Sequence, residues 1–133
     1  MCRRPKWVRR PTAALMLVVA IVACAAPAGP TGEISGRLVA GPVCPVESLP
    51  PDPACAPRPV EDALITIVSS AGREWRVRSD DDGYFRVKVP IGEVLVLFGP
   101  VKGLMGTPPE IGVEVTEGET TNLGEVAYDT GIR

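Results

Sequence analysis

Most of the chain after residue 30 consists of short runs in which apolar and polar residues alternate, separated by glycine, aspartate or proline. A period of two is typical of β-strands with one buried face. Residues 63–68 are apolar on both sides of that period, which predicts a central strand. The seven predicted strands have their apolar positions at Ile34, Gly36 and Leu38; Ala63, Ile65 and Ile67; Trp75 and Val77; Phe85, Val87 and Val89; within 93–98; Ile111, Val113 and Val115; and within 121–128.

Seven strands at short spacing predict an all-β fold, a seven-stranded antiparallel β-sandwich over residues 32–128, followed by a C-terminal tail at 129–133. The length of 133 residues allows one such domain. Residues 79–83, Ser-Asp-Asp-Asp-Gly, are short, polar and end in glycine, so we expect a hairpin connection between the strands around Trp75 and Phe85.

The first 23 residues differ from the rest. Five basic residues precede an apolar run of 12 residues at 12–23, an order typical of a secretory signal and too short for a membrane helix of roughly 20 residues. Ile21-Val22-Ala23-Cys24 follows and resembles the bacterial lipobox, whose cysteine is acylated and becomes the new N-terminus. We therefore predict a lipoprotein signal peptide at 1–23, lipidation at Cys24 and a tether at 24–31.

Two alternatives to lipidation stay open: an ordinary secretory signal whose Cys24 carries no lipid, and an uncleaved signal anchor. Lipidation implies an exported protein anchored on the extracytoplasmic side of a membrane, because several acyl chains anchor stably. The residues after 23 carry nine basic and 16 acidic groups, a net charge of −7. An acidic surface makes nucleic acid and anionic lipid unfavourable partners.

Export leaves Cys44 and Cys55 to pair, within a segment at 41–59 that holds seven of the 15 prolines and forms neither strand nor helix. An oxidising exterior permits the disulfide, and closing a ring of about 12 residues stabilises by roughly 3 kcal/mol on the chain-entropy model. Two thiolates are too few ligands for structural zinc, and the spacing differs from the C-x-x-C of redox pairs. We predict a disulfide-closed loop, with no metal and no cofactor.

The sequence contains no histidine, which excludes Ser-His-Asp, Cys-His and histidine-metal chemistry. Asp129-Thr130-Gly131 coincides with the triplet of aspartic proteases, and we attribute the match to chance. The residues from Asp80 to Asp82 carry carboxylates of the kind that calcium prefers, but aspartate also favours turns through its own hydrogen bonds. We predict a turn there, and no enzymatic activity.

Four segments match a known pattern: GEISGRL at 32–38, PVEDALITI at 59–67, SDDDGYFRV at 79–87 and VPIGEVLVL at 89–97. Over about residues 32–127 the chain resembles the carboxypeptidase regulatory-like domains, which belong to the transthyretin-like (prealbumin-like) sandwiches. Asp62 stands where that family usually has glycine, and Val94 and Leu95 replace its usual tyrosine region. The resemblance implies a Greek-key sandwich with a non-catalytic role as spacer, adhesion module, carbohydrate-contacting module or folding partner.

The predicted hairpin carries a candidate ligand surface made of Arg76, Arg78, Tyr84, Arg86 and Lys88. These residues alternate with apolar positions and should share one outward face. An anionic glycan or cell-wall polymer could pair with the guanidinium groups while the tyrosine stacks on a sugar. The other interpretation is a solvated strand face whose charges discourage edge pairing. We assign Trp75 to the core.

These observations predict a monomeric, non-enzymatic lipoprotein of the cell envelope, whose sandwich is an accessory, structural or ligand-binding module for a carbohydrate or wall polymer. The alternative is a protein-interaction or peptidase-inhibitor module that presents the loop from Cys44 to Cys55 to a secreted protein, since a preorganised loop binds at reduced entropic cost.

Overall fold

The computed structural model describes residues 29–133. The predicted leader at 1–23 and the predicted lipidation site at Cys24 lie outside the described residues. None of the helical structure within 29–133 is long and apolar enough to cross a membrane. The strands are β1 (Thr31–Gly41), β2 (Arg58–Pro59), β3 (Leu64–Ser69), β4 (Glu74–Arg78), β5 (Tyr84–Pro90), β6 (Gly92–Phe98), β7 (Ile111–Val115) and β8 (Thr120–Asp129), with a 3-10 turn at Pro53–Cys55.

The strands form two sheets that enclose one core. In sheet A, β1 lies between β8 on one edge and β5 and the short β2 on the other. Sheet B has the order β4-β3-β6-β7. The predicted β-sandwich is confirmed, with seven strands of five residues or more in the described part of the chain. The strand β3 is central in sheet B, as its two-sided apolar sequence predicts.

The core between the sheets takes its side chains from alternate positions of both. Ile34, Ile65 and Val96 are completely buried, and burying one such side chain contributes about 1.5–3 kcal/mol. Trp75 is half-buried against this core, in line with its assignment. The alternation of Ile34 with polar neighbours identifies it as inward, whereas β3 and β6 are apolar on both sides and their inward positions follow from the sheet pairing.

A buried tyrosine links the two sheets. Tyr128 on β8 of sheet A is completely buried, and its hydroxyl donates to the carbonyl oxygen of Gly99, which follows β6 of sheet B, at 2.8 Å. Burial raises the pKa of Tyr128 because the ionised form loses its hydration. The phenol thus fills the core while its only polar atom is satisfied.

The strands β4 and β5 do not form the predicted hairpin. The strand β4 pairs with β3 in sheet B, whereas β5 pairs with β1 in sheet A, so residues 79–83 carry the chain from one sheet to the other. Gly83 has a φ of +82°, and a Cβ atom there would overlap the carbonyl oxygen of Leu38. The Leu38 N–H donates to the Gly83 carbonyl oxygen at 2.7 Å. A short polar turn that ends in glycine is compatible with a hairpin and equally with a crossing between two sheets, and in this protein it forms the crossing.

One pair departs from the predicted antiparallel arrangement: β8 runs parallel to β1. The chain leaves β7 in sheet B and enters sheet A beside the start of β1, so both strands run in the same direction. The register shifts between Ser35 and Arg37, where β8 has one residue more than β1. Gly124 lies in this bulge with a φ of +71°. The Gly124 N–H donates a hydrogen bond to the Asn122 Oδ1 atom at 2.8 Å.

The predicted disulfide between Cys44 and Cys55 is confirmed, with Cα atoms 5.3 Å apart. It closes the proline-rich loop where β1 ends. The C-terminal tail holds the base of this loop: the Thr130 N–H donates to the Gly41 carbonyl oxygen at 3.2 Å, and the Thr130 hydroxyl donates to the Pro42 carbonyl oxygen. The loop is therefore fixed to the sandwich at its start as well as closed by the disulfide.

Asp62 occupies a backbone conformation that glycine usually supports. Its φ is +54°, in the left-handed region that aspartate tolerates better than most residues. The Arg78 Nη1 atom donates to the Asp62 carbonyl oxygen at 2.9 Å, and the Asp62 N–H donates to the Ser79 carbonyl oxygen at 3.0 Å. Aspartate at this position thus supports a turn conformation that glycine adopts most readily.

Candidate functional site

The structure separates the five residues of the predicted ligand surface into two groups. Arg76 and Arg78 point outward from β4 in sheet B. Tyr84, Arg86 and Lys88 point outward from β5 in sheet A, on the other side of the sandwich. The five residues therefore do not share one face, because the segment expected to form a hairpin crosses between the sheets.

Tyr84 and Arg86 instead border a groove of about 540 Å³ on the outer face of sheet A, which we name the sheet A groove. The strand β1 forms its floor, and β5 and β8 form its sides. The cross-strand register places Tyr84, Arg37 and Glu125 in one row and Arg86, Ser35 and Asn122 in the next. Directly opposite side chains in a sheet lie within contact distance, so each row presents three side chains together.

Three contacts hold Arg37 in the first row. Its guanidinium carbon lies 5.3 Å from the centre of the Tyr84 ring, its Nε donates to the Asp82 carbonyl oxygen at 3.0 Å, and its Nη1 donates to the Glu125 Oε1 atom at 3.1 Å. A cation over an aromatic face is attracted by the ring quadrupole. Arg37 therefore orients the tyrosine ring. The ring remains accessible from the groove, since Tyr84 is 54% exposed.

Arg86 in the second row is paired but accessible. Its Nε lies 3.3 Å from the Glu33 Oε1 atom, while its side chain stays 71% exposed. The same oxygen of Glu33 accepts a hydrogen bond from the Thr120 hydroxyl at 3.3 Å. Glu33 thus holds the guanidinium in place and leaves part of it free to contact a ligand.

The bulge in β8 opens the other side of the groove. Gly124 has no side chain, and no atom lies within 4 Å of the position that a Cβ would take. Asn122, which holds this bulge, presents its amide to the groove opposite the hydroxyl of Ser35. An aromatic ring, two guanidiniums, an amide and a hydroxyl together can stack on and hydrogen-bond to a polyhydroxylated molecule.

The aspartates at 80–82 form the predicted turn. The Asp80 carboxylate accepts hydrogen bonds from the N–H groups of Asp82 at 3.0 Å and Tyr84 at 2.9 Å. This use of the carboxylate fixes the backbone where Tyr84 enters the groove. No group of three or more potential metal ligands occurs within residues 29–133.

Asp129 of the protease-like triplet has a structural partner. Its carboxylate accepts hydrogen bonds from Arg133 Nη2 at 2.8 Å and from the Gly131 N–H at 2.8 Å. The hydrogen bond from Arg133 and that from Gly131 lower the pKa of Asp129 to about 2. The carboxylate thus closes the C-terminal tail onto the end of β8.

The predicted surface did not include Ser35, Arg37, Asn122 or Glu125. The alternation places Ser35 and Arg37 opposite the inward Ile34, so the sequence already indicates that they face outward. Their neighbours depend on the parallel pairing of β1 with β8, which the pattern does not reveal. Arg37 and Asn122 become candidates only when those strands are side by side.

Solved structures with a similar fold include subunits of bacterial pili. The shaft pilin SpaA of Lactobacillus rhamnosus GG matches with a TM-score of 0.56 and 9% identity, covering 74% of this chain and 51% of that one. The minor pilin GBS52 of Streptococcus agalactiae matches with a TM-score of 0.55 and 14% identity, covering 75% and 45%. The Bacillus anthracis TIE protein matches with a TM-score of 0.55 and 18% identity, covering 75% and 16%.

At these identities the likeness concerns the fold alone, and this chain spans about half or less of each of those proteins. Neither a model of a known protein family nor a curated protein matches the sequence. The β-sandwich is therefore shared with pilin subunits, whereas membership of the carboxypeptidase regulatory-like family stays a prediction.

Proposed function

We propose that this protein is a non-enzymatic accessory module of the cell envelope that binds an anionic saccharide in the sheet A groove. The observation that carries the proposal is the half-exposed Tyr84 ring, held by Arg37 beside the accessible guanidinium of Arg86. A sugar ring would stack on the tyrosine. A carboxylate or phosphate of the same ligand would accept hydrogen bonds from Arg86.

The charges of this face favour an anionic ligand. Arg37, Arg86 and Lys88 bring three cations to the outer face of sheet A, whereas Glu33 and Glu125 pair with two of them. The Asp80 carboxylate also lines the groove and balances the third cation, but the N–H groups of Asp82 and Tyr84 engage it. The accessible guanidinium of Arg86 is therefore the cation that would attract a wall polymer, which the rest of the acidic surface repels.

Export and anchoring at Cys24 are part of the proposal. The disulfide between Cys44 and Cys55 suits an oxidising compartment, and pilin subunits share the fold. The eleven residues of β1 separate the N-terminal side of the domain from the disulfide loop, a span of about 33 Å at 3.3 Å per residue. A chain tethered at Cys24 would therefore present the loop away from the membrane.

A non-enzymatic role agrees with the chemistry of the groove. The chain has no histidine, and the Asp80 carboxylate beside Tyr84 is engaged in its turn. The lowered pKa of Asp129 comes from its structural contacts with Arg133 and Gly131. Perturbed groups often mark catalytic sites, but here the contacts explain the shift.

Binding of the protein to an array of anionic wall polymers and glycans tests the proposal. We expect Tyr84→Ala and Arg86→Gln each to weaken binding by about tenfold, the loss of one stacking or charged contact. Arg76→Gln is the matched control, since Arg76 is an equally exposed strand arginine on sheet B, at 67% against 71%. Equal losses for Arg76→Gln and Arg86→Gln, or binding that no variant changes, would contradict the proposal.

A second candidate function is protein binding through the disulfide loop. Leu49 at its tip is 96% exposed, and Val46 is exposed as well. The Asp52 carboxylate accepts a hydrogen bond from the Ala54 N–H at 2.9 Å, which rigidifies the turn near the second cysteine. A rigid loop with exposed apolar side chains suits insertion into a partner, such as a secreted peptidase.

Capture of envelope proteins by the immobilised protein tests this second function. We expect Leu49→Asp to abolish capture and leave saccharide binding unchanged. Capture that survives both Leu49→Asp and Val46→Asp would exclude the loop as the contact.

A further inference from the structure

The outer face of sheet B has a groove of its own, of about 510 Å³, which we name the sheet B groove. Val68 of β3, Leu95 of β6 and Gly112 of β7 lie in one row across it. Leu95 is 42% exposed. Gly112 leaves a notch beside it, since no atom lies within 4 Å of its Cβ position. The floor of this groove is therefore apolar and open.

Two carboxylates border this apolar floor. Glu93 of β6 and Glu114 of β7 are direct cross-strand partners and line the groove. Like charges directly opposite each other destabilise a sheet. Neither glutamate has an ion pair with a cation of residues 29–133. Two carboxylates thus converge beside an apolar floor, and the domain supplies no cation between them.

We propose that the sheet B groove docks an amphipathic segment of a partner protein that places a lysine or arginine between Glu93 and Glu114 and an apolar side chain on Leu95. Charge complementarity decides the occupant: a cation relieves the repulsion of the two carboxylates, and the apolar side chain removes Leu95 from water. This site lies on the opposite side of the sandwich from the sheet A groove and does not depend on saccharide binding.

A second copy of this chain fits the groove less well. A two-fold axis through the glutamate pair would bring Glu93 and Glu114 of one copy against the same pair of the other, which places four carboxylates together. An axis nearer β4 would instead bring them against Arg76 and Arg78, which point outward from the same sheet. Those arginines already pair with Glu74 and Asp62, so a partner that brings unpaired cations is the better occupant.

The dimensions of the groove fit an extended peptide. Three neighbouring strands span about 10 Å at 4.8 Å per strand, and an extended chain covers that distance with about three residues. With its apolar side chains on the floor, an alternating peptide carries its lysines on the opposite side, from where their long flexible stems can bend over the edge of the peptide to the glutamate pair. A short peptide with that alternation is therefore a suitable probe.

The test is an NMR titration of the ¹⁵N-labelled full-length chain with two synthetic peptides, acetyl-Leu-Lys-Leu-Lys-Leu-amide and the same peptide with Glu in place of Lys. We expect the lysine peptide to shift the amide signals of β6 and β7 with a Kd of about 1 mM or below. The glutamate peptide should cause no shift. Equal shifts by both peptides, or no shift at about 5 mM lysine peptide, would overturn the proposal.

Variants separate the two parts of the site. Glu93→Gln combined with Glu114→Gln should weaken binding of the lysine peptide by about fivefold or more, the effect of two exposed ion pairs. Leu95→Ser should weaken binding of the lysine peptide as well. Glu110→Gln, just before β7 and outside the lining of the groove, is the control and should leave binding unchanged. A Kd that the double glutamine variant does not change overturns the proposal, whatever Leu95→Ser does.

Discussion

The outer faces of the two sheets are built by the same alternation and yet differ in how their charges are arranged. On sheet A, Arg37 pairs with Glu125 and Arg86 pairs with Glu33, so that polar side chains form an ordered groove. On sheet B, Glu93 and Glu114 face each other without a cation from residues 29–133, beside an apolar floor. Whether a charged side chain on a strand is paired therefore depends on the residues of the neighbouring strands as much as on the sequence of its own strand.

The largest effect is expected at the segment that separates the two faces. Gly83→Ala should destabilise the protein by at least about 2 kcal/mol, because the residue has a positive φ and its Cβ would overlap the Leu38 carbonyl oxygen. Urea unfolding measures this loss. Gly72→Ala is the matched control, with a φ of +83° and no atom within 4 Å of the added Cβ, and should cost about 1 kcal/mol. Equal costs for the two variants would show that the crossing is not constrained by close packing.

The next effect concerns the bond that joins the sheets behind these faces. Tyr128→Phe removes the hydrogen bond to the Gly99 carbonyl oxygen and should lower the free energy of unfolding by about 1 kcal/mol. Tyr84→Phe, on the exposed face of sheet A, should leave it unchanged. A loss for Tyr84→Phe as large as that for Tyr128→Phe would contradict the linking role of Tyr128.

The same tyrosine predicts a dependence on alkaline pH. Burial raises the pKa of Tyr128 above its usual 10.0, so the unfolded chain releases this proton at a lower pH than the folded one. The contribution of this phenol to the free energy of unfolding is therefore fully present below pH 10, and it is lost as the pH rises from there through the pKa of the folded state. Tyr128→Phe should remove this part of the decline, measured as thermal stability against pH. A decline that is identical in the variant would assign it to other groups.

A smaller pair of effects tests the comparison of the faces directly. Glu33→Gln breaks the ion pair with Arg86 and should destabilise the protein by about 0.2–1 kcal/mol. Glu93→Gln removes the repulsion with Glu114 and should stabilise it by a similar amount. Changes of opposite sign in the free energy of unfolding, measured with denaturant, support the contrast between the two faces. Changes of the same sign would contradict it.

The smallest effect is expected at the C-terminal tail, away from both faces, because its ion pair is exposed to solvent, which screens it. The contacts with Arg133 and Gly131 lower the pKa of Asp129 from 3.8 to about 2. The contribution of this carboxylate is present above pH 3.8 and is lost as the pH falls toward 2, because the unfolded chain takes up the proton first. Arg133→Gln should reduce this loss in a thermal unfolding series from pH 5 to pH 2. An unchanged series would show that the ion pair does not couple to folding.

Much of the fold could be predicted because alternation follows from the geometry of a strand. Ile34 and Phe85 alternate with polar neighbours, so their burial is predicted without knowledge of the neighbouring strands. In β3 and β6 both sides are apolar, and the sheet pairing decides that Ile65 and Val96 face inward. The pairing of Cys44 with Cys55 was predicted from the expected export and from the two cysteines that the predicted leader and lipidation site leave, and the structure confirms it.

The candidate site was harder to predict because it joins residues that are far apart in sequence. Arg76 and Arg86 lie close along the chain but on opposite faces, whereas Arg37 and Glu125 are 88 positions apart and form an ion pair. A turn sequence such as 79–83 fits both a hairpin and a crossing, and only the packing of the two sheets distinguishes them.

The sequence by itself determined that this protein is a β-sandwich with a disulfide-closed loop and without histidine chemistry. Those properties depend on local alternation, composition and cysteine count. The tertiary structure alone decided which strands are neighbours, that β8 runs parallel to β1, and which charges are paired on each face. The physical reason is that a side chain's direction is set by its own backbone, whereas its partners are set by strands that arrive from elsewhere in the chain.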